Sequence, residues 1–421
     1  MQYSAHAMDH TLALTELLGS KVYDAAGAIC GRVRGVALTP QDDRARISTL
    51  VVKTRKGDCL LPSHAIRSIN GGIRTGTRED DWPRDGSMEG LFMLERDLLD
   101  QQVIDVNGRK VVRVNDVDLH EELSGNRLIL RVGSVDVGPR GAVRRLLKGF
   151  VPSAALHALL RRIPPKAIPW EFIDLIETNP ARRVRLKISH DRLAKLHPAD
   201  IADIIEELAP DEREAVFETL DEEVAAEALE EVEPKLQKAI VESLDSDRAA
   251  DIVEEMDPDA AADLLKDLPE EHTEKILEEM APAEREEVSG LLSFQENTAA
   301  GRMTTEYIAV GQDSTVEEAI DALRNFEGGV ETVSTFFVVD GAGKLVATVP
   351  LAKLVLAEGH EALISLAQEP LISCKPHAKE NEVAELFDKY NLLTLPVVDD
   401  NEHLVGVITS DDVISLLRSK L

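Results

Sequence analysis

The sequence predicts a multidomain chain: small β-barrels at the N-terminus, an all-α helical-repeat solenoid in the middle and an α/β tandem pair at the C-terminus. Three internal repeats carry this reading. Pro210, Pro234, Pro258 and Pro282 stand 24 residues apart, and Leu220, Leu244, Leu268 and Leu292 keep the same step. Val22, Asp24 and Gly27 recur 81 residues later as Val103, Asp105 and Gly108. The stretch Phe336 to Asp340 recurs 59 residues later as Leu395 to Asp399. A chain of 421 residues has room for several domains of roughly 100–200 residues each.

In the N-terminal repeat each copy reads as a short apolar strand, an Asp-x-x-Gly turn and then alternating apolar positions. Those positions are Val33, Val36 and Leu38 in the first copy and Val114, Val117 and Leu119 in the second, as half-buried strands require. Sixteen of the 25 glycines precede residue 150, which suits many tight turns. The segment VIDVNGRKVVRVNDVDL resembles the PRC-barrel family, and VYDAAGAICGRVRGVAL is similar to a weaker second copy. The resemblance implies docking modules in two copies over residues 1–138, with no catalytic residue to carry over. Residues 139–189 follow as a basic helical linker. It holds Arg140, Arg144, Arg145, Lys148, Arg161, Arg162, Arg182, Arg183 and Arg185 among Leu146, Leu147, Leu156, Leu159 and Leu160. Such an amphipathic basic helix suits a membrane surface or a place against acidic helices.

The 24-residue period means stacked helical units, because each unit buries its apolar face only against its neighbours. Proline suits the first helical position, where its missing N–H has no partner to lose. Apolar residues then recur at steps of three and four, as in Leu236, Ala239, Ile240 and Leu244, followed by Ile252, Val253 and Met256. HPADIADIIEELAP repeats as DRAADIVEEMDP 48 residues on, so the array begins near Pro198. Not one glycine lies between Gly149 and Gly290. The solenoid is expected over residues 190–297.

Charge is distributed unevenly. Residues 1–197 carry +7, residues 198–289 carry −26 and the remainder −12, for a total of −31. A surface this acidic repels nucleic-acid phosphates and attracts cations. The three cysteines (Cys30, Cys59 and Cys374) form no CxxC pair, which fits a reducing compartment and argues against a thiolate metal site. No apolar run approaches the ~20 residues of a membrane helix, and no signal peptide opens the chain. No GxxxxGK[ST], HExxH or GxSxG motif occurs, so no enzyme activity is expected. His190 and His197, flanking the start of the solenoid, read as caps or surface residues.

In the C-terminal repeat each copy runs helix, apolar strand ending in Asp, tight turn, strand, helix. That order, and the ending GVITSDDVISLL, resemble a tandem of CBS domains over residues 298–360 and 361–421. Acidic helical repeats followed by FQENTAAGRMTTEYIAV and this pair are similar to the cytosolic half of MgtE-type magnesium channels. In that family the solenoid and the CBS pair clamp around Mg2+, and a membrane domain follows. This sequence stops at Leu421, so the expectation is a chain without a pore of its own.

Matching the family motif puts its interface acids at Glu227, Asp259 and Asp263 on the solenoid and at Asp411 and Asp412 on the second CBS module. Asp259 and Asp263 are four residues apart and so share a helical face. Where the family can carry Asp before the LLTLP segment, Asn391 stands here, which supplies an oxygen but no charge. The CBS resemblance also implies an adenine-nucleotide reading, with ATP or AMP as ligand. Thr409 would meet a phosphate and Asp412 the ribose hydroxyls, whereas the equivalent positions of the first module are Pro350 and Lys353. Asp412 thus serves both readings.

The sequence reading is therefore a magnesium-sensing regulatory protein that binds divalent cations, is cytoplasmic or peripheral to the inner face of the membrane, and controls a partner such as a membrane transporter. The alternatives are a nucleotide-sensing CBS adaptor and a protein-interaction scaffold. A homodimer through the CBS pair is expected, on the ground that Phe336, Phe337 and the flanking helices leave apolar faces uncovered.

Overall fold

The computed structural model describes residues 11–39, 43–84, 90–124, 127–148, 150, 151, 153–177, 190–295, 297–326, 328, 330 and 333–419. The chain divides into two compact units, residues 1–224 and 225–421.

In the first unit both copies of the 81-residue repeat become strands around one apolar core. Val22, Val36 and Leu50 from the first copy pack in the same cluster as Val103, Val117 and Leu130 from the second. The first copy orders Lys21–Tyr23, Ile29–Leu38, Ile47–Thr54, Gly57–Pro62, Ile66–Ser68 and Ile73–Thr75 in one sheet. In the second copy Asp116–Ser124 pairs antiparallel with Arg127–Asp136. Both Asp turns form as the spacing requires. Asp24 Oδ1 accepts from the Ala26 and Ala28 amides, each at 2.9 Å, and Asp105 Oδ1 accepts from Gly108 N at 2.8 Å. In the first turn Gly27 takes the left-handed conformation (φ 79°), a position glycine occupies without steric cost.

The β region does not end at residue 138. Ala167–Pro169 pairs with Arg127–Asp136, and Ile173–Leu175 pairs with Gln102–Asp105. Both strands lie in the stretch read from sequence as a basic linker. They escaped notice because each is three residues long and both follow a helical insertion, Pro139–Leu147 and Ser153–Leu160. That insertion is fastened to the sheet by a buried ion pair. Asp116, fully buried, accepts from Arg144 Nη1 at 2.8 Å, Thr15 Oγ1 at 2.6 Å, Thr15 N at 3.2 Å and Val117 N at 2.9 Å. A buried carboxylate is tolerated only with such a full set of donors. Lys148 Nζ donates to the Thr15 and Leu18 carbonyls. Arg182, Arg183 and Arg185 lie outside the described residues.

The 24-residue period is realised as pairs of short helices with Pro at the first position of Pro198–Glu207, Pro210–Phe217, Pro234–Ser243, Pro258–Asp267 and Pro282–Leu292. His197 is an N-cap, its Nδ1 accepting from Ala199 N at 3.3 Å. In the second unit alternate helices pack together, Pro258–Asp267 on Pro282–Leu292 and Ser246–Glu254 on Glu270–Glu279. A carboxylate seals each joint there. Glu230 Oε1 accepts from Asp257 N at 2.7 Å, and Glu254 Oε2 accepts from Ala281 N at 2.9 Å. Asp257 and Ala281 are the N-caps of the Pro-headed helices after the next, so a donor that helices otherwise leave orphaned is satisfied from 27 residues upstream.

The C-terminal repeat folds as two α/β modules. Thr335–Val339 lies between Ala309–Gly311 (parallel) and Leu345–Pro350 (antiparallel), and Thr394–Val398 pairs with Leu404–Thr409. Asp340 and Asp399 form the same Asp-headed turn at equivalent places. The sheets meet through Phe337, Leu345, Val398 and Val407, with Tyr307 edge-on to Phe337. The ground given for dimerisation therefore fails for Phe336 and Phe337, whereas the flanking helices do leave Val355, Leu356 and Ile414 exposed. Phe336 and Phe337 are buried inside the pair, because alternate residues of one strand serve the first module's own core and the seam between modules.

Candidate functional site

Two helices that begin with carboxylates face one recess in the second unit. In the first, Pro258–Asp267, Asp257 is the N-cap and Asp259 lies in the first turn. In the second, Ser410–Ser419, Asp411 and Asp412 occupy the first turn. Negative charge is favoured at both ends by the helix dipole. Asp257, Asp259, Asp411 and Asp412 line the recess together with Glu306 and Thr409, and among the described residues that line it there is no Lys, Arg or His. Its volume is about 50 Å³, room for a few waters or a hydrated ion, far below the several hundred Å³ of a typical organic-ligand pocket.

Burial and mutual repulsion dominate the electrostatics of this crowding, with Arg302 offsetting a smaller part at Asp412. Burial pushes Asp259 well above the ordinary carboxylate range, and the charge of Asp412 adds to it. Asp412 is pushed up to about 6, again chiefly by burial, with Thr409 holding it down. Asp257 is raised by burial and then by Asp411. Glu230, behind Asp257, is raised to about 8 by burial and next by Asp257. Such a group of acids ionises together only when a countercharge is supplied. The donors are all carboxylate or hydroxyl oxygens, the hard ligands that Mg2+ and Ca2+ take, and Mg2+ keeps several waters so that one or two carboxylates per ion suffice. Among the described residues no three His, Cys, Asp or Glu side chains converge closely enough to hold an ion directly.

Of the residues chosen from sequence, Asp259, Asp411, Asp412 and Thr409 meet at the recess. Glu227 is exposed on Glu222–Glu231 and is not among the lining residues. Asp263 lies one turn beyond Asp259 and is engaged by cations of the chain itself, Arg302 Nη1 at 3.1 Å and Lys266 Nζ at 3.4 Å. Asn391 is the left-handed C-cap of Glu380–Tyr390 (φ 51°), a conformation Asn tolerates well. It lines the other cleft of the module pair, with Pro350 and Thr348. Lys353, at the first module's counterpart of Asp412, donates to the Leu366 and Ala367 carbonyls. Sequence reasoning missed Asp257, Glu306 and Arg302. Asp257 could have been found as the residue before a repeat proline, whereas nothing in the sequence alone places Glu306 or Arg302.

Residues 196–297 match the MgtE intracellular N domain, and residues 299–358 and 364–419 each match the CBS domain. The chain carries an MgtE N domain followed by a CBS pair. The magnesium transporter MgtE of Thermus thermophilus is 35% identical over 136 residues, which cover 32% of this chain and 30% of that protein. MgtE of Enterococcus faecalis is 31% identical over 134 residues, with the same coverages of 32% and 30%. The chain thus spans about 30% of the length of these curated relatives. Two solved structures align with the N domain and CBS pair. The soluble part of a magnesium transporter is 27% identical, covers 55% of this chain and 91% of that one, and has a TM-score of 0.52. The cytosolic domain of the Mg2+ channel MgtE in complex with ATP is 32% identical, covers 53% and 92%, and has a TM-score of 0.50. Among the described residues no helix is long and apolar enough to cross a membrane.

Proposed function

We propose that this chain is a magnesium-sensing regulator, without enzymatic activity, in which the MgtE N domain and the CBS pair close on bound Mg2+ and so control a partner such as a membrane transporter. One observation carries the reading: two acid-headed helices, one from each domain, face a recess whose described lining residues include no base. Without cations the facing carboxylates repel, and with them the closed arrangement gains population. Mg2+ bound at the recess supplies positive charge, and Asp257, Asp259, Asp411 and Asp412 position it, directly or through its waters. The relatives are named for magnesium transport, which agrees with this choice of ion. Calorimetric titration of the full chain with Mg2+ is the test. Heat of binding at millimolar Mg2+ or below is expected, and its absence would refute the reading.

Adenine nucleotide is the second reading. It is supported by the pairing of Thr409 with Asp412 and by the ATP complex of the related cytosolic domain. The small recess favours the ion over the nucleotide in this arrangement. ATP and AMP titrations in the presence and absence of Mg2+ separate the two.

Dimerisation through the CBS pair rests on the flanking helices rather than on Phe336 and Phe337: Val355, Leu356 and Ile414 are exposed apolar side chains there, with Leu393 exposed nearby in sequence to the second module's strands. The β region serves as a docking module on the inner face of the membrane. Residues 137–170 hold seven Lys/Arg and no acid, and Leu146 and Phe150 are 72% and 87% exposed there. Basic charge beside exposed apolar side chains suits an anionic lipid surface.

A further inference from the structure

We propose that Arg302 is a built-in countercharge that latches the N domain to the second CBS module without any metal ion, and thereby sets how much Mg2+ closure requires. The inference rests on the cation-driven closure argued above and adds a second, permanently charged contact to it.

Arg302 follows the 3-10 turn Ala299–Gly301, at the point where the chain leaves the solenoid for the CBS pair. That turn is fixed to the second module by backbone bonds from Ala299 N to Ala378 O (2.8 Å) and from Ala300 N to Pro376 O (2.9 Å). From this anchored position the guanidinium bonds in two directions. Nη1 reaches Asp263 Oδ2 at 3.1 Å on the N-domain helix Pro258–Asp267, and Nε reaches Glu380 Oε1 at 3.3 Å at the start of Glu380–Tyr390. Glu380 is buried. One planar, always-ionised group therefore joins carboxylates from two domains, a geometry that a compact ammonium does not reproduce.

The consequence for Asp263 is specific. Oδ2 is taken by Arg302 and Oδ1 lies against Lys266, so this carboxylate is neutralised from within the chain rather than by a bound ion. The acids that line the recess are then the ones a bound cation neutralises. Without Arg302, Asp263 and Glu380 would lose the cation that joins them, and closure would begin from a less favourable balance. A ligand shifts a two-state equilibrium only by its differential affinity, so a weaker latch raises the Mg2+ concentration needed for the same closed fraction.

The test uses the full chain and its Arg302→Met and Arg302→Lys variants at fixed ionic strength. Small-angle scattering and limited proteolysis follow closure through a Mg2+ titration, with circular dichroism as the folding control. Arg302→Met should raise the Mg2+ midpoint about three- to fivefold, as expected for losing a partly exposed ion pair, with Arg302→Lys in between. In EDTA, Arg302→Met should be cut faster than wild type between residues 292 and 298. Asp263→Asn should give a similar shift alone and no further shift on the Arg302→Met background. An unchanged midpoint and unchanged EDTA cleavage would overturn the latch. A further fall in Mg2+ response when Asp263→Asn is added would also overturn it, by making Asp263 a metal ligand. If wild type shows no Mg2+ response, the magnesium reading fails, and the EDTA cleavage comparison still decides the latch.

Discussion

Thr409 donates its hydroxyl to Asp412 Oδ2 at 2.6 Å, and its own amide reaches the same oxygen at 3.0 Å. Asp412 thereby closes the first turn of Ser410–Ser419. Thr409→Val removes the hydroxyl donor at nearly constant volume. It should lower the stability of the second unit by about 1 kcal/mol, the typical worth of such a bond, as read by thermal denaturation. The Mg2+ midpoint should move far less than it does in Asp412→Asn.

Asp259→Asn combined with Asp412→Asn removes two of the five recess carboxylates. Millimolar Mg2+ should compact the wild-type chain more than Na+ of equal ionic strength, and in the double variant that difference should vanish. General screening survives in both, because the Debye length is ~8 Å at 0.15 M whatever the cation. Equal compaction of wild type by the two salts in small-angle scattering would reduce the acids to solubility features.

Asp174 gives a pH prediction in the first unit. It is buried, accepts from Leu193 N at 3.2 Å and is raised by burial from 3.8 to about 6. A carboxyl raised in the folded state binds its proton more tightly there than in the unfolded chain. Its contribution to stability is present below pH 3.8 and lost as pH rises through 6. Asp174→Asn has no such proton to lose. Its unfolding free energy relative to wild type, read from thermal or denaturant unfolding, should therefore rise between pH 4 and pH 7, by at most ~1.4 kcal/mol per pH unit across the window. A constant difference would count against a buried, raised Asp174.

Phe150→Asp with Leu146→Asp tests membrane docking. Wild-type chain should co-sediment with vesicles containing phosphatidylglycerol and not with pure phosphatidylcholine, and added salt should weaken the binding. The double variant should stay in the supernatant with an unchanged circular dichroism spectrum. Equal binding by both proteins would remove the membrane role from this insertion.

The repeats made the architecture legible because each encodes a local device that needs no long-range information. Proline at the first helical position, the Asp-headed turn and alternation along a strand are all visible within a dozen residues. Strands 167–169 and 173–175 were not legible, since three residues carry too little periodicity and their partners lie far upstream. The fate of Phe336 and Phe337 was hidden for a related reason: sequence shows that both are apolar, but not that two sheets share the strand between them. At the site, helix spacing placed Asp259 beside Asp263 correctly. It could not reveal that Arg302, 39 residues further on, returns to Asp263 and separates the roles of the two acids.

Glu230 and Glu254 hold the N-caps of helices that begin one repeat later, and this limits how the array can change in length. A block of 24 residues removed or duplicated whole carries with it both a carboxylate and an N-cap, so each surviving joint finds its counterpart. An insertion of any other size leaves one carboxylate without its amide on one side and one helix uncapped on the other. Lineages of this architecture should therefore differ by whole repeats rather than by stray residues, and a solenoid engineered to a new length should be cut in the same measure.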